Sequence, residues 1–456
     1  MTLQDMRSRD VIRDAIDNGI DSEAVLARVT RRLIPFLALC YVAAYLDRVN
    51  LSFAASTMNS DLKFSPTVYG WGAGIFFVGY ALLETPSNYI LNRIGARIWI
   101  ARIMVTWGLV SAAMAFVRDE TGFYLLRFLL GAAEAGFMPG IILYLTWWFP
   151  QAQRGRILAA FLFAAPLATV IGAPLSGAVL SYAEGLGGVR GWRWLFILEA
   201  APAILLGVVA WFYLTDRPAT AAWLAPAERD WLAARVAGET AAAQTSAGAQ
   251  GSLSAMGAAI ISAMQDRRAL GLGAAYFGVV LALYGLGMWL PQIVEAYGAG
   301  PLVAGLITAL PFLFGAGAML WWSRRSDHFG ERVWHTALAA CLAAAGLILA
   351  AAFASPLLAT AAVCLAAIGV FATLPPFWAL VTGTFHGAHA ALAIALINSI
   401  GNLAGFFGPW MVGWIKQATG GYGPALLALA AGPLACAALV VYLDSGRPAP
   451  VSNGVA

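Results

Sequence analysis

Four ionisable residues stand inside long apolar runs of this chain: Asp47, Arg48, Arg127 and Glu134. A charge at bilayer depth costs at least a few kcal/mol, so it faces a bundle interior or a watery pathway and by default marks an ion route or a proton relay. A guanidinium offers a planar fork that fits a carboxylate and stays protonated even when buried. A buried carboxyl gains or loses its proton as its neighbours change. Two acids and two bases so placed are suited to handling an anion together with protons. Tyr41, Tyr45 and Arg48 fall at i, i+4 and i+7, on one helical face. Arg48 is then an anchor for an organic anion with Tyr45 donating beside it; the competing reading is that it neutralises Asp47 or another acid in a structural ion pair. Arg127 and Glu134 are seven apart, roughly 10 Å along one face. That spacing is too long for a direct pair and leaves room for Asp47 or a substrate between them. Glu134, mid-span, is the best proton site, whereas Arg127 lies nearer a span end and can equally snorkel to the interface.

The elements that hold these residues are spanning helices. Hydrophobic residues make up 61% of the 456 and DEKR only 11%, which excludes a water-soluble protein because no aqueous core buries so much apolar surface. Windows of about 20 mainly apolar residues fall near 33–56, 68–91, 97–117, 122–148, 156–182 and 193–214, then near 269–294, 302–322, 333–354, 357–381, 390–415 and 424–443. They predict an all-α membrane protein of twelve transmembrane helices in two pseudo-symmetric six-helix bundles, 33–214 and 269–443. A tail over 1–32, a central loop over 215–268 and a tail over 444–456 flank them. The tail at 1–32 is charged and lacks a continuous apolar segment, so it reads as a solvated cytoplasmic tail and not a signal peptide. Arginines crowd the N-terminal tail, the central loop and the turns near 92–97, 150–156 and 323–332, which puts both termini in the cytoplasm. Glu239–Ser252 is rich in Ala, Gln, Ser and Gly and reads as a flexible linker.

The two halves repeat. Gly95 and Arg97 in the first Arg-rich turn correspond to Gly330 and Arg332 in the later one, and Pro174 to Pro409, each pair 235 residues apart. One offset across distant motifs indicates a parallel repeat with a site at the interface of the halves. Shifted by that offset, Asp47, Arg48, Glu84, Arg127 and Glu134 land on Ala282, Leu283, Met319, Ala362 and Gly369. The second half therefore keeps the architecture without the charges. It offers Tyr276, Tyr284, Trp289, Gln292, Trp378, Asn398, Asn402 and Trp410 instead, suited to reading substrate shape and hydroxyls while the first half handles charge and protons.

Other residues read more plainly. Tyr80 is a cavity residue. Glu84, one turn later, pairs with arginines of the 93–102 region in a cytoplasmic gate formed with Arg93, Arg97, Asp327 and Arg332, and Glu199 takes a similar structural role. Asn398 and Asn402 share a face, and each either bonds a neighbouring helix or faces the cavity, since unpaired amides are costly in lipid. Gly131, Gly136, Pro139 and Gly140 permit close packing and bending. The cysteines (Cys40, Cys341, Cys364, Cys436) stand singly in apolar runs and read as buried packing residues, with no metal spacing. The net charge of +4 is scattered over short loops and makes no nucleic-acid footprint. No HExxH, GxSxG or paired intramembrane aspartates appear, so an enzyme is not expected, nor is a cofactor.

Several runs carry a family resemblance. Tyr45-Leu46-Asp47-Arg48-Val49-Asn50 resembles the first-span signature of the anion:cation symporter family within the major facilitator superfamily. So do Arg127–Gly136 with Pro139-Gly140, Gly191–Glu199, and Ile397–Asn402 with Gly408-Pro409. The resemblance covers about 30–445 and is nearest to bacterial permeases for tartrate, hexonates, phthalate and 4-hydroxyphenylacetate. It implies a multi-pass inner-membrane symporter, self-sufficient as a monomer, that imports small organic carboxylates with protons by alternating access. Arg48 matches the substrate-binding arginine, Asp47 and Glu134 the protonatable acids, and Arg127 the fourth-span arginine. Tyr45 and Tyr80 match cavity tyrosines, and Trp378 with Asn398 or Asn402 the contacts from the second half. The chain departs from hexonate carriers, where Phe163-Ala164-Ala165-Pro166 replaces a cavity glutamine, and from glutamate-carrying relatives, whose seventh-span arginine it lacks. Both departures favour an aromatic or less hydroxylated acid. An organic-anion exchanger or efflux pump on the same fold is the alternative.

Overall fold

The computed structural model describes residues 20–162, 164–247, 264–385 and 388–445. The N-terminal tail before Ile20, Phe163, the stretch 248–263, residues 386–387 and the last residues from Gly446 lie outside this description. Eleven of the described helices are long and apolar enough to cross a membrane, and the shorter apolar segment Pro166–Tyr182 makes a twelfth. The six of the first half are α1 (Ser22–Leu62), α2 (Pro66–Ile94), α3 (Ala96–Ala113), the pair α4 (Glu120–Glu134) and α5 (Phe137–Thr146), the pair α6 (Gln151–Leu162) and α7 (Ala164–Tyr182), and α8 (Gly191–Tyr213). After α9 (Pro226–Ala247) come α10 (Arg267–Glu295), α11 (Pro301–Phe329), α12 (Val333–Ala352), α13 (Pro356–Thr384), α14 (Ala388–Thr419) and α15 (Gly423–Ser445).

Helix ends follow their capping residues more than the hydrophobic windows. α1 begins at Ser22, well before the apolar stretch at 33, because the Asp21 carboxylate accepts the Glu23 and Ala24 N–H groups at 3.0 Å and satisfies donors the helix cannot. The fourth span is not one rod. Gly136, at φ 84°, ends α4 immediately after Glu134 and starts α5. A side chain disfavours this left-handed backbone, and a Cβ on Gly136 would sit 2.3 Å from Ser87 Oγ. The expectation for 239–252 needs correction over its described part: α9 runs through Glu239 to Ala247. Ala, Gln and Glu are strong helix formers, and Glu239 is tied down by Arg154 and Arg235, each at 3.6 Å, and by the Gln151 N–H at 2.8 Å.

Each of the repeated turns has a glycine at positive φ, Gly95 at 104° and Gly330 at 64°. Each turn leads into a helix whose first N–H groups a carboxylate accepts, but the carboxylates differ. Asp216, beyond α8, takes the Arg97 N–H at 2.8 Å. In the later turn Glu331 takes the Trp334 and His335 N–H groups at 2.7 and 2.9 Å. The cysteines are unbonded; Cys40 and Cys436 are buried as expected, but Cys341 is exposed.

The described residues fall into two compact units. The first lies within Met1–Phe64, Ile75–Ala255 and Gly300–Gly305, the second within Ser65–Gly74, Met256–Ala299 and Leu306–Ala456. The start of α2 thus belongs with the second unit, where a Cβ on Gly70 would meet the Pro409 carbonyl oxygen at 2.7 Å. The start of α11 belongs with the first, where a Cβ on Gly305 would meet the Ala173 oxygen at 2.3 Å. Small residues permit such backbone-to-backbone approach in spanning helices.

Candidate functional site

Within the first unit, α2 and α4 cross where neither helix has a side chain. A Cβ on Gly131 would lie 1.9 Å from the Phe76 carbonyl oxygen, and one on Gly79 2.3 Å from that of Phe128. This crossing brings Phe76 and Tyr80 of α2 beside Arg127 and Glu134 of α4. From α1, Arg48 reaches the same place. Its guanidinium pairs with the Glu134 carboxylate and lies 5.5, 5.7 and 5.8 Å from the ring centres of Phe76, Tyr80 and Tyr45. Arg127 approaches Phe76 from another side, at 4.9 Å. Two cations thus share one aromatic residue, and Arg48 is directly ion-paired to Glu134. Cation–π contact of this kind supports a guanidinium held out of water.

Three alternatives left open by the sequence are narrowed here. Arg127 does not snorkel; it is 1% exposed. Of Asp47 and a substrate, the two occupants left open for the space between Arg127 and Glu134, Asp47 is bonded elsewhere, to Asn50, Trp107 and Ser111. The acid that Arg48 meets is Glu134 and not Asp47. Consecutive helical residues point about 100° apart, so Asp47 turns toward α3 while Arg48 turns toward α4. Asp47, 1% exposed, makes no ion pair among the described residues. Three neutral donors hold it instead: Trp107 Nε1 donates to Oδ2 at 2.9 Å, Ser111 Oγ to Oδ1 at 2.7 Å, and Asn50 Nδ2 to Oδ1 at 3.3 Å. Tyr41 shares the face of Tyr45 and Arg48 and stacks on Phe161, ring centres 4.7 Å apart.

The proposed gate residues are only partly brought together. Asp327 and Arg332 pair at 2.7 Å, and Arg332 also donates to Ser326 Oγ at 2.9 Å. Glu84, by contrast, forms no ion pair with Arg93, Arg97 or Arg102 among the described residues. Aromatic neighbours on the same helices hold two of those guanidinium groups: Arg93 lies 4.7 Å from the Tyr89 ring and Arg102 3.8 Å from that of Trp99. Residues three or four apart on a helix are neighbours, so these contacts form before any longer reach to Glu84. Arg97 contributes its backbone N–H to Asp216.

In the second unit the aromatic groups cluster. Tyr276 lies parallel to Phe377 (5.3 Å, 11°) and edge-on to Trp378 (5.0 Å, 70°). Gly401 makes the space, since a Cβ there would fall 2.0 Å from the Tyr276 ring. Asn398 and Asn402 are half-buried on α14, and neither side chain hydrogen-bonds a neighbouring helix among the described residues. Of the two readings for these amides, bonding between helices is therefore not realised here.

Residues 37–409 match the Major Facilitator Superfamily. The chain belongs to that superfamily. It is 47% identical to a candidate tartrate transporter of Agrobacterium vitis, over 100% of this chain and 99% of that one. It is 38% identical to a quinolone resistance transporter of Acinetobacter baumannii, over 87% and 89% of the two chains. Among solved structures, the xylose transporter XylE from E. coli, inward open, superposes with a TM-score of 0.72 over 91% of this chain and 96% of that one, at 15% identity. That likeness speaks for the fold alone. The protein is thus a multi-pass membrane transporter of the major facilitator superfamily and not an enzyme.

Sequence reasoning missed Trp107 and Ser111, the partners of Asp47. Their four-residue spacing on α3 was the available signal, since it puts an N–H and an O–H on one face of an apolar helix. It also missed Phe76, four residues before Tyr80, and Ser176, whose Oγ donates to Glu199 Oε1 at 2.6 Å.

Proposed function

We propose that this transporter is a proton-coupled symporter that imports a small organic carboxylate across the bacterial inner membrane, with both termini cytoplasmic and the monomer as the working unit. The observation that carries the reading is the Arg48–Glu134 pair. Arg48 is the cationic fork suited to a substrate carboxylate, and in this arrangement Glu134 occupies it. A proton on Glu134 removes its charge and releases the fork. The substrate carboxylate then takes the place of the Glu134 carboxylate. Before the exchange Arg48 is paired with one carboxylate, and after it with another, so the guanidinium keeps a counter-charge at every stage. A charge left uncompensated at that depth is the costly alternative. Binding of the proton and of the anion are thereby linked, each favouring the other.

Asp47 is the second proton site in this reading. If it loads a proton as well, each monoanion carries a net positive charge inward and transport is electrogenic. Tyr45, Tyr80 and Arg127 line the charged side of the substrate, and Trp378, Asn398 and Asn402 read its shape. A tartrate-like or aromatic acid fits this equipment, and the Agrobacterium relative supports tartrate as the first acid to try.

The test is uptake into proteoliposomes under an imposed inward proton gradient, with tartrate and an aromatic acid as cargo. Wild-type protein should concentrate its substrate only with the gradient. Glu134→Gln should still exchange substrate down its own gradient but lose accumulation. A Glu134→Gln protein that concentrates substrate with full pH dependence would overturn the assignment. A second reading, efflux on the same fold, is favoured by the quinolone resistance relative. The direction of net flux of the same compounds in intact cells decides between them.

A further inference from the structure

One buried acid has no part in that scheme. Glu199 lies in α8, 3% exposed, and forms no ion pair among the described residues. Its Oε1 is bonded to Ser176 Oγ at 2.6 Å. Its Oε2 is fully buried and has no hydrogen-bond partner among the described residues. α8 packs against α1, α3, α7 and the short turn Met114–Phe116. On α1, Asp47 is within electrostatic reach of Glu199. α7 supplies the neutral Ser176. α3 packs on this part of α8 through Gly108, whose Cβ would meet Ile204 and the Ala200 oxygen, and its Trp107 and Ser111 are spent on Asp47. The Met114–Phe116 turn brings only apolar side chains.

The two acids are solvated very unequally. Asp47 has three donors aimed at its oxygens, while Glu199 has one and an oxygen left bare. In a low-dielectric interior two carboxyls within electrostatic reach do not readily both ionise, and the proton settles on the one whose charge is less well supported. A carboxylate that accepts several hydrogen bonds keeps its charge; one with a bare oxygen and no cation does not. We infer that Glu199 is a resident proton-binding site: it is carried as the neutral acid against Ser176, behind an ionised Asp47, so that the two carboxyls hold one proton between them. The 2.6 Å spacing serves the neutral acid equally well, with the Glu199 O–H donating to Ser176 Oγ and the uncharged carbonyl oxygen left bare. The inference goes beyond the transport reading and holds whatever the cargo is.

Infrared spectroscopy of the full chain in lipid nanodiscs at neutral pH tests it without any substrate. The wild-type protein should show the C=O stretch of a protonated carboxyl that Glu199→Gln loses and Asp47→Asn and Glu134→Gln keep. A spectrum in which Glu199→Gln removes only carboxylate absorption overturns the inference. Should that variant fail to assemble, Ser176→Ala retains the acid and removes its partner. The carboxyl C=O band should then move to higher frequency, and a band that stays in place overturns the inference as surely.

Discussion

At the scale of single residues, what matters is which acid the Arg48 guanidinium faces. Glu134 wins because Arg48 and Asp47, adjacent in sequence, leave α1 on different faces. The fork geometry gives a prediction. Arg48→Lys keeps the positive charge but replaces two parallel N–H donors with a compact ammonium, which is not a conservative change at a carboxylate site. Uptake should lose at least about tenfold in kcat/KM, equivalent to about 1.4 kcal/mol, while the protein still assembles; the measurement is initial uptake rate against substrate concentration. The four charges were legible from the sequence because a charge in an apolar run stands out against its surroundings. Their partners were not. Whether Arg48 meets Asp47 or Glu134 depends on how α1 is rotated against α3 and α4, and on how α4 sits against α2 through Gly79 on Phe128 and Gly131 on Phe76, which no local pattern announces. Trp107 and Ser111 stayed hidden for a different reason: an indole and a hydroxyl are ordinary residues in a spanning helix until an acid is found beside them.

At the scale of helices, glycine contacts and caps fix the site. A methyl group on Gly131 would sit 1.9 Å from a backbone oxygen of α2, and backbone does not yield as a flexible side chain does. Gly131→Ala should therefore destabilise by about 1–3 kcal/mol and push α2 from α4, with the loss read as a lower unfolding midpoint in detergent. A second element-scale prediction concerns Glu331, in the turn before α12. Burial alone would raise its carboxyl, but hydrogen bonds from the Trp334 N–H, the His335 ring and the His335 N–H outweigh this and hold it below the ordinary carboxylate range. Because the folded value is depressed, the stabilisation is fully present above the ordinary carboxylate value and is lost as pH falls through the lowered one. Glu331→Gln should cost about 1 kcal/mol near neutral pH, the usual worth of a helix cap. The gap in unfolding midpoint between wild type and variant should close as the medium is acidified. The helices themselves were legible because spanning segments must be long and apolar. The break after Glu134 was visible only as glycines that permit bending. A left-handed backbone at Gly136 is a choice among several glycines, made by contact with Ser87.

For the whole molecule, duplication is what the sequence displays most plainly. The 235-residue offset is matched by glycines at positive φ, Gly95 and Gly330, yet different acids, Asp216 and Glu331, receive the backbone donors of the two turns. The compact units do not follow the covalent halves, since the first turns of α2 and α11 pack with the opposite half's residues. A linear reading assigns each helix whole to one half and has no means to divide it. The charge asymmetry between halves leads to a prediction at this scale. Asn402→Ala, in the half without charges, should weaken substrate binding several-fold, by the roughly 1–1.5 kcal/mol of a hydrogen bond, and leave the pH dependence of uptake unmoved. A parallel change in pH dependence would show that the division of tasks between halves is wrong.

The break at Gly136 also acts on the backbone around it. Where a helix stops, its last carbonyls and the first N–H groups of the next lose their partners in the ladder, and bare backbone at bilayer depth persists only where protein or water supplies new ones. Glu134 is the last residue of the interrupted helix. The same discontinuity that lets the fourth span bend therefore sets polar backbone groups beside the acid, in a span where every such group must find a partner in protein or water.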